Sequence, residues 1–176
     1  KILKSVVSNN CDIKMITPNE GNKNQLYFLD GIDQIINFQQ NPDTCIEVFT
    51  NTNLIIGLDF NDPNRIDTLE PYFMQSNAYK ILIDHHHNPK TECFDTTISK
   101  PEMSSTCELV FWIVDSIWKA DVITQDAAIP LYCGICTDTG TFSYSNIHPS
   151  LYVATASLVS HDIEPDKLQI MLFNNF

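Results

Sequence analysis

Two apolar runs constrain this chain most: NLIIGLDF (53–60) and YKILIDHH (79–86). Each is short, rich in Ile and Leu, and closed by an acid. Runs of this length and composition read as strands buried on both faces. Helical patterns separate them from other strand candidates, CDIKMIT (11–17) and the weaker TTIS (96–99). Residues 42–50 read as a helix, with Asn41 or Asp43 near its start. Pro63 suits a first helical turn, so a helix is expected from there to about Gln75, with Asp62 as its N-cap. Ser105 and Glu108 have capping-box spacing before ELVFWIVDSIW. Further helices are expected after Thr124, after Asn146 and Pro149, and over 165–174.

Strands alternating with helices argue for an α/β fold, a mostly parallel sheet flanked by helices on both faces. Ligands of such sheets lie outside the C-terminal strand ends. Asp59 and Asp84-His85-His86 both fall at those ends, so the two runs predict one site.

The segment KILIDHHHNP sharpens that prediction. Side chains of a regular strand alternate faces, so Asp84, His85, His86 and His87 cannot all address one ligand unless the chain turns there. Imidazole and carboxylate together suit a divalent transition metal, and carboxylate-rich sites tilt toward manganese and magnesium. Asp59 is left without a structural duty once Asp62 takes the N-cap. Asp138, in CTDTGT, closes a mostly apolar helix, where the helix dipole disfavours an anion and a cation would compensate. The alternative is that Thr137, Thr139 and a turn at Gly140 satisfy it. Ser104, Ser105 and Thr106 suit helix capping, and their amides and hydroxyls could also face a phosphate.

The formal charge of −12 excludes passive binding to nucleic acid or to an anionic membrane, which needs basic patches. An acidic protein that handles phosphates needs bound cations. No apolar run is long enough to span a bilayer. Six cysteines lie mostly in apolar stretches and read as small buried residues of a cytoplasmic protein. Cys133-Gly-Ile-Cys136 has zinc or redox spacing, but only His148 offers itself as a further ligand.

In their order, LIIGLDFND, ILIDHHHNP, SSTCELV and GICTDTGTFSYSN resemble the DHH family of phosphoesterases, over nearly the whole chain. The branch most resembled holds nanoRNases and adenosine-bisphosphate phosphatases. The resemblance implies a Rossmann-like DHH domain and a hydrolase of short oligonucleotides or small nucleotides. It implies Mn2+, with Mg2+ as the alternative, and two ions in the complete protein. Asp59 would bridge the ions, and His85 and Asp138 would complete the shell of one. Asp84 would orient ligands, His86 would face the substrate phosphate, and His87 falls outside the motif. A homodimer fits the family pattern, and no membrane partner is expected.

The sequence departs from the pattern at its start. No Asp-x-Asp motif and no histidine precede His85. Residues 1–10 read as the end of a helix. The expectation is a single DHH-type catalytic domain over 1–176, incomplete at its N-terminus and without the C-terminal substrate-binding domain. The rival expectation is an impaired or degenerate member that binds nucleotide or a partner protein.

Overall fold

The computed structural model describes residues 11–19, 21, 26–144 and 146–173. The helix end expected over 1–10 lies outside them. The chain forms two compact units. One comprises Lys14–Lys23 and Gly31–Pro101, and the other Lys1–Ile13, Asn24–Asp30 and Glu102–Phe176.

The first unit holds all five described strands, every pair of them parallel. β1 (Met15–Thr17) pairs with β2 (Ile35–Asn37), while β3 (Leu54–Leu58), β4 (Tyr79–Asp84) and β5 (Thr96–Ser99) form a second sheet in that order. Parallel strands flanked by helices are the α/β class read from the sequence. β1 is shorter than the expected 11–17 because its ladder runs only from Met15↔Ile35 to Thr17↔Asn37. β2 gave no sequence signal, since three residues cannot display a period.

Helix α1 (Pro42–Asn51) begins after Asn41, with Pro42 in its first turn. Asp62 caps the next segment, accepting from Asn64 N–H at 2.9 Å. The helix expected to run unbroken to Gln75 instead divides into a 3-10 segment, Pro63–Leu69, and α2 (Glu70–Gln75). The break falls at Asp67, with φ 50° and ψ −122°. Pro71 explains it. In an unbroken helix its ring would meet the carbonyl of the residue four back, which is Asp67.

Cys45, Phe49, Leu69 and Phe73 form the core of this unit, with Ile55, Phe60 and Phe94 packed on it. Phe60, Phe73 and Phe94 make a tilted aromatic cluster with ring centroids 5.5–6.1 Å apart. Gly57 admits it: a Cβ there would lie 2.7 Å from Phe60 Cζ. Phe60 turns back onto the strand that has just ended, and Asp59 is the hinge.

The second unit is helical: α3 (Thr106–Trp118), α4 (Gln125–Asp138), α5 (Pro149–Val159) and α6 (Pro165–Phe173). Phe111, Val114, Ile135, Leu151, Leu158 and Leu172 are among its buried core residues. Gly134 on α4 faces the Cys107 side chain of α3 so closely that any Cβ would collide with its sulfur. Cys45, Cys133 and Cys136 are buried as expected, whereas Cys11 is exposed. Burial, then the neighbouring Cys136, pushes the Cys133 thiol up to about 12, and burial raises Cys136 too. Among the described residues no helix is long and apolar enough to cross a membrane.

Two outcomes follow from this packing. Gly57→Ala should lower unfolding stability by about 1–3 kcal/mol, because Phe60 must move to admit the methyl group. Urea denaturation should register it as a lower midpoint with an unchanged slope. In the native chain at pH 8, iodoacetamide should label Cys11 and spare Cys133 and Cys136, since thiolate is the reactive species. Peptide mapping of labelled protein checks this.

Candidate metal centre

The register of β3 on β4 builds the site. Leu58 pairs with Ile83, so both strands end at one level, and Asp59 follows Leu58 as Asp84 follows Ile83. The Asp59 N–H still donates to the Ile83 carbonyl at 3.2 Å. Asp59 then adopts φ 67°, a left-handed conformation costly for a residue with a Cβ. That turn ends the strand and leaves the carboxylate half exposed.

The chain leaves β4 at Asp84, so the three histidines escape strand alternation. Asp84 is fully buried. Both of its oxygens serve His86: Oδ1 lies 2.7 Å from Nδ1, and Oδ2 accepts the backbone N–H at 3.0 Å. In the tautomer that donates from Nδ1 to this carboxylate, Nε2 is the nitrogen with the lone pair. The His85 and His86 rings meet edge to face, with centroids 4.7 Å apart. His85 Nε2 lies 3.6 Å from Asp59 Oδ1, and His86 Nδ1 lies 3.9 Å from the same oxygen.

Asp59, His85 and His86 each offer one ligand atom, and these atoms lie within 4.8 Å of one another. Two imidazoles and a carboxylate suit a divalent transition metal. The sequence had expected His86 at a substrate phosphate and Asp84 orienting ligands. Here His86 joins the cluster, and Asp84 orients His86. His87 is exposed, and only its carbonyl is engaged, accepting from Asn61 Nδ2 at 2.7 Å.

The other expected site residues lie in the helical unit. Asp138 is the last residue of α4. The helix stops there in a Schellman arrangement, with Thr141 N–H donating to the Cys136 carbonyl at 2.8 Å and Gly140 at φ 54°. Thr139 Oγ1 donates to the Ile135 carbonyl and accepts from Phe142 N–H. The turn at Gly140 is therefore present, as the sequence reading allowed.

Ser104, Ser105 and Thr106 are buried at the start of α3. Ser105 Oγ accepts from Glu108 N–H at 3.0 Å, which is the expected cap. Ser104 Oγ donates to the Asn146 carbonyl at 2.6 Å, and Asn146 Nδ2 returns a bond to the Ser104 carbonyl at 3.2 Å. Sequence reasoning saw Glu108 only as a capping partner. It is a fully buried hub that accepts from Ser104 N–H, Trp112 Nε1 and Ser150 Oγ, with His148 Nε2 at 3.5 Å. The long separation in sequence between Glu108 and Ser150 hid this role. His148 thus sits beside Glu108 and Ser150. Cys133 and Cys136 belong to no metal-holding group among the described residues.

The profile of the DHH family, N-terminal domain, matches residues 1–135. The chain belongs to the DHH family. That agrees with the resemblance carried by its motifs. It is 27% identical over 123 residues to the bifunctional oligoribonuclease and PAP phosphatase NrnA of Thermus thermophilus, covering 65% of this chain and 34% of that protein. It is 33% identical over 112 residues to the Mycoplasma genitalium protein of the same name, covering 61% of this chain and 34% of that one. A crystal structure of an exopolyphosphatase-related protein from Bacteroides fragilis superposes with a TM-score of 0.91 at 29% identity, over 99% of this chain and 51% of that chain. This DHH chain therefore spans about a third of the length of the curated relatives it matches.

Removing the Glu108 side chain would strand several buried donors at once. Glu108→Ala should cost about 3 kcal/mol of stability. Glu108→Gln, which keeps one acceptor, should cost less. Thermal unfolding of both variants measures the difference.

Proposed function

We propose that this chain carries catalytic residues of a metal-dependent phosphoesterase of the nanoRNase or adenosine-bisphosphate phosphatase type. Its substrates would be short oligonucleotides or small nucleotides. The observation that supports this most is the convergence of Asp59, His85 and His86 at the ends of β3 and β4 in a DHH-family chain. The names of the relatives from Thermus thermophilus and Mycoplasma genitalium point to the same substrate class.

In this reading Asp59 and His85 hold a metal ion, and Asp138 contributes a further carboxylate. Manganese is the expected ion, with magnesium as the alternative, and the complete protein takes two. Such ions polarise phosphoryl oxygens and lower the pKa of a bound water. Asp84 fixes the His86 ring by holding its Nδ1 proton, which leaves Nε2 to meet a metal or a substrate phosphate. Of Ser104, Ser105 and Thr106, Ser104 gives its amide to Glu108 and its hydroxyl to Asn146, and the Ser105 hydroxyl caps α3, so the backbone amides of Ser105 and Thr106 would be the groups to meet a phosphate. The acidic charge of −12 is consistent with cations, rather than basic side chains, drawing in an anionic substrate. We infer a cytoplasmic enzyme, and sedimentation tests the expected homodimer.

The test is hydrolysis of a linear dinucleotide, a cyclic dinucleotide, adenosine bisphosphate and pyrophosphate, with Mn2+ and with chelator. Manganese-dependent turnover of at least one is expected, abolished by chelation. Asp138→Asn should reduce turnover by about 100-fold or more without unfolding the chain. Full activity in that variant, or its failure to fold, would count against the assigned role. The rival reading is a member that binds nucleotide without hydrolysing it. Metal-dependent nucleotide binding with no turnover is its signature.

A further inference from the structure

The two segments that carry the cluster are both irregular. Asp59 stands at φ 67° after β3, and Asn88 at φ 55° follows the three histidines. Beyond the strand ends no ladder holds such segments in register, so their separation depends on whatever bonds cross between them.

Those bonds converge on Asn61, two residues beyond Asp59. Its Nδ2 donates to the His87 carbonyl at 2.7 Å. Its own backbone carbonyl accepts from Lys90 N–H at 2.8 Å. Arg65 Nη1 donates to Asn61 Oδ1 at 3.4 Å, which fixes which end of the amide faces His87. Asn61 thus clips the segment of Asp59 to the segment of His85 and His86 at two points. A third link is the ion pair between Lys90 Nζ and Asp62 Oδ2 at 2.8 Å. The Lys90 ammonium, and secondarily the Asn64 N–H, hold the Asp62 carboxyl below the usual range. That pair is exposed, so solvent screens it and its contribution is small. The neutral bond from Asn61 is short and local to the ligand-bearing backbone.

We propose that Asn61 is a positioning residue for the metal centre. Its amide, bonded to the His87 carbonyl, sets the distance between Asp59 and the two imidazoles. It touches neither metal nor substrate. The inference rests on the reading of Asp59, His85 and His86 as metal ligands. Bonds that orient ligands in this way are worth about 10–100-fold in metal affinity when removed.

The experiment titrates the full chain with Mn2+ by calorimetry and records the visible spectrum of its Co2+ form. Asn61→Leu keeps bulk and removes the donor. It should weaken Mn2+ binding by about tenfold or more and alter the Co2+ spectrum, while the metal-free protein melts close to the unaltered one. Lys90→Met should bind within about twofold of the unaltered chain. Unchanged affinity and spectrum in Asn61→Leu overturn the proposal. If Asn61→Leu does not fold, Asn61→Asp takes its place, since it sets an acceptor against the His87 carbonyl in the same shape. An unchanged Co2+ spectrum in that variant overturns the proposal equally. If the unaltered chain binds neither ion, the metal-site reading fails and the inference falls with it. Binding by the unaltered chain with indifferent Asn61 variants removes the inference alone.

Discussion

The register of two parallel strands underlies the candidate site. Because Leu58 lies against Ile83, β3 and β4 end side by side, and the residues that follow each strand emerge at one place. A slip of one residue would turn every side chain of a strand to its opposite face. Leu82 and Asp84, both fully buried, would then exchange places with the half-buried Ile81 and Ile83. In the observed register the cost of burying the Asp84 carboxylate is offset by its two bonds to His86. Burial of Leu82 therefore sets the register, and His86 satisfies the acid that this register buries.

Among the described residues each unit carries one deeply buried acid, and the two are handled differently. Asp84 commits both oxygens to a single neighbour, His86, and so transmits rigidity to a candidate ligand. Glu108 distributes its oxygens over the turn before α3, the indole of Trp112 and the start of α5. It holds helices together. In both cases the cost of burying a carboxyl is offset by bonds that remove conformational freedom. The consequence for Asp84 is local and chemical, and for Glu108 it is architectural.

Much of this was legible in the residue order. Apolar strands closed by Asp59 and Asp84, the Ser105–Glu108 spacing, Asp62 before Pro63 and the Gly140 turn each carry a local physical cause, and each was found in its expected position. β2 was not legible, because three residues carry no periodicity. The break at Asp67 was legible in principle, since Pro71 follows it by four residues, but the apolar spacing of the segment masked it. The hub at Glu108 was beyond reach, because its partners His148 and Ser150 lie some forty residues away in sequence.

The sequence by itself determined the class of fold, the two strand ends where polar chemistry gathers, and the family. Those depend on short-range patterns of burial, turning and capping, which a linear chain displays directly. Only the tertiary structure decided that His86 joins Asp59 and His85 within ligand reach, that Asp84 serves His86, and that Asn61 ties the two segments together. Those relations depend on a left-handed turn at Asp59 and on bonds across twenty-six positions between Asn61 and His87. Distances of that kind are set by packing of the aromatic cluster and the strand register, which no local pattern encodes.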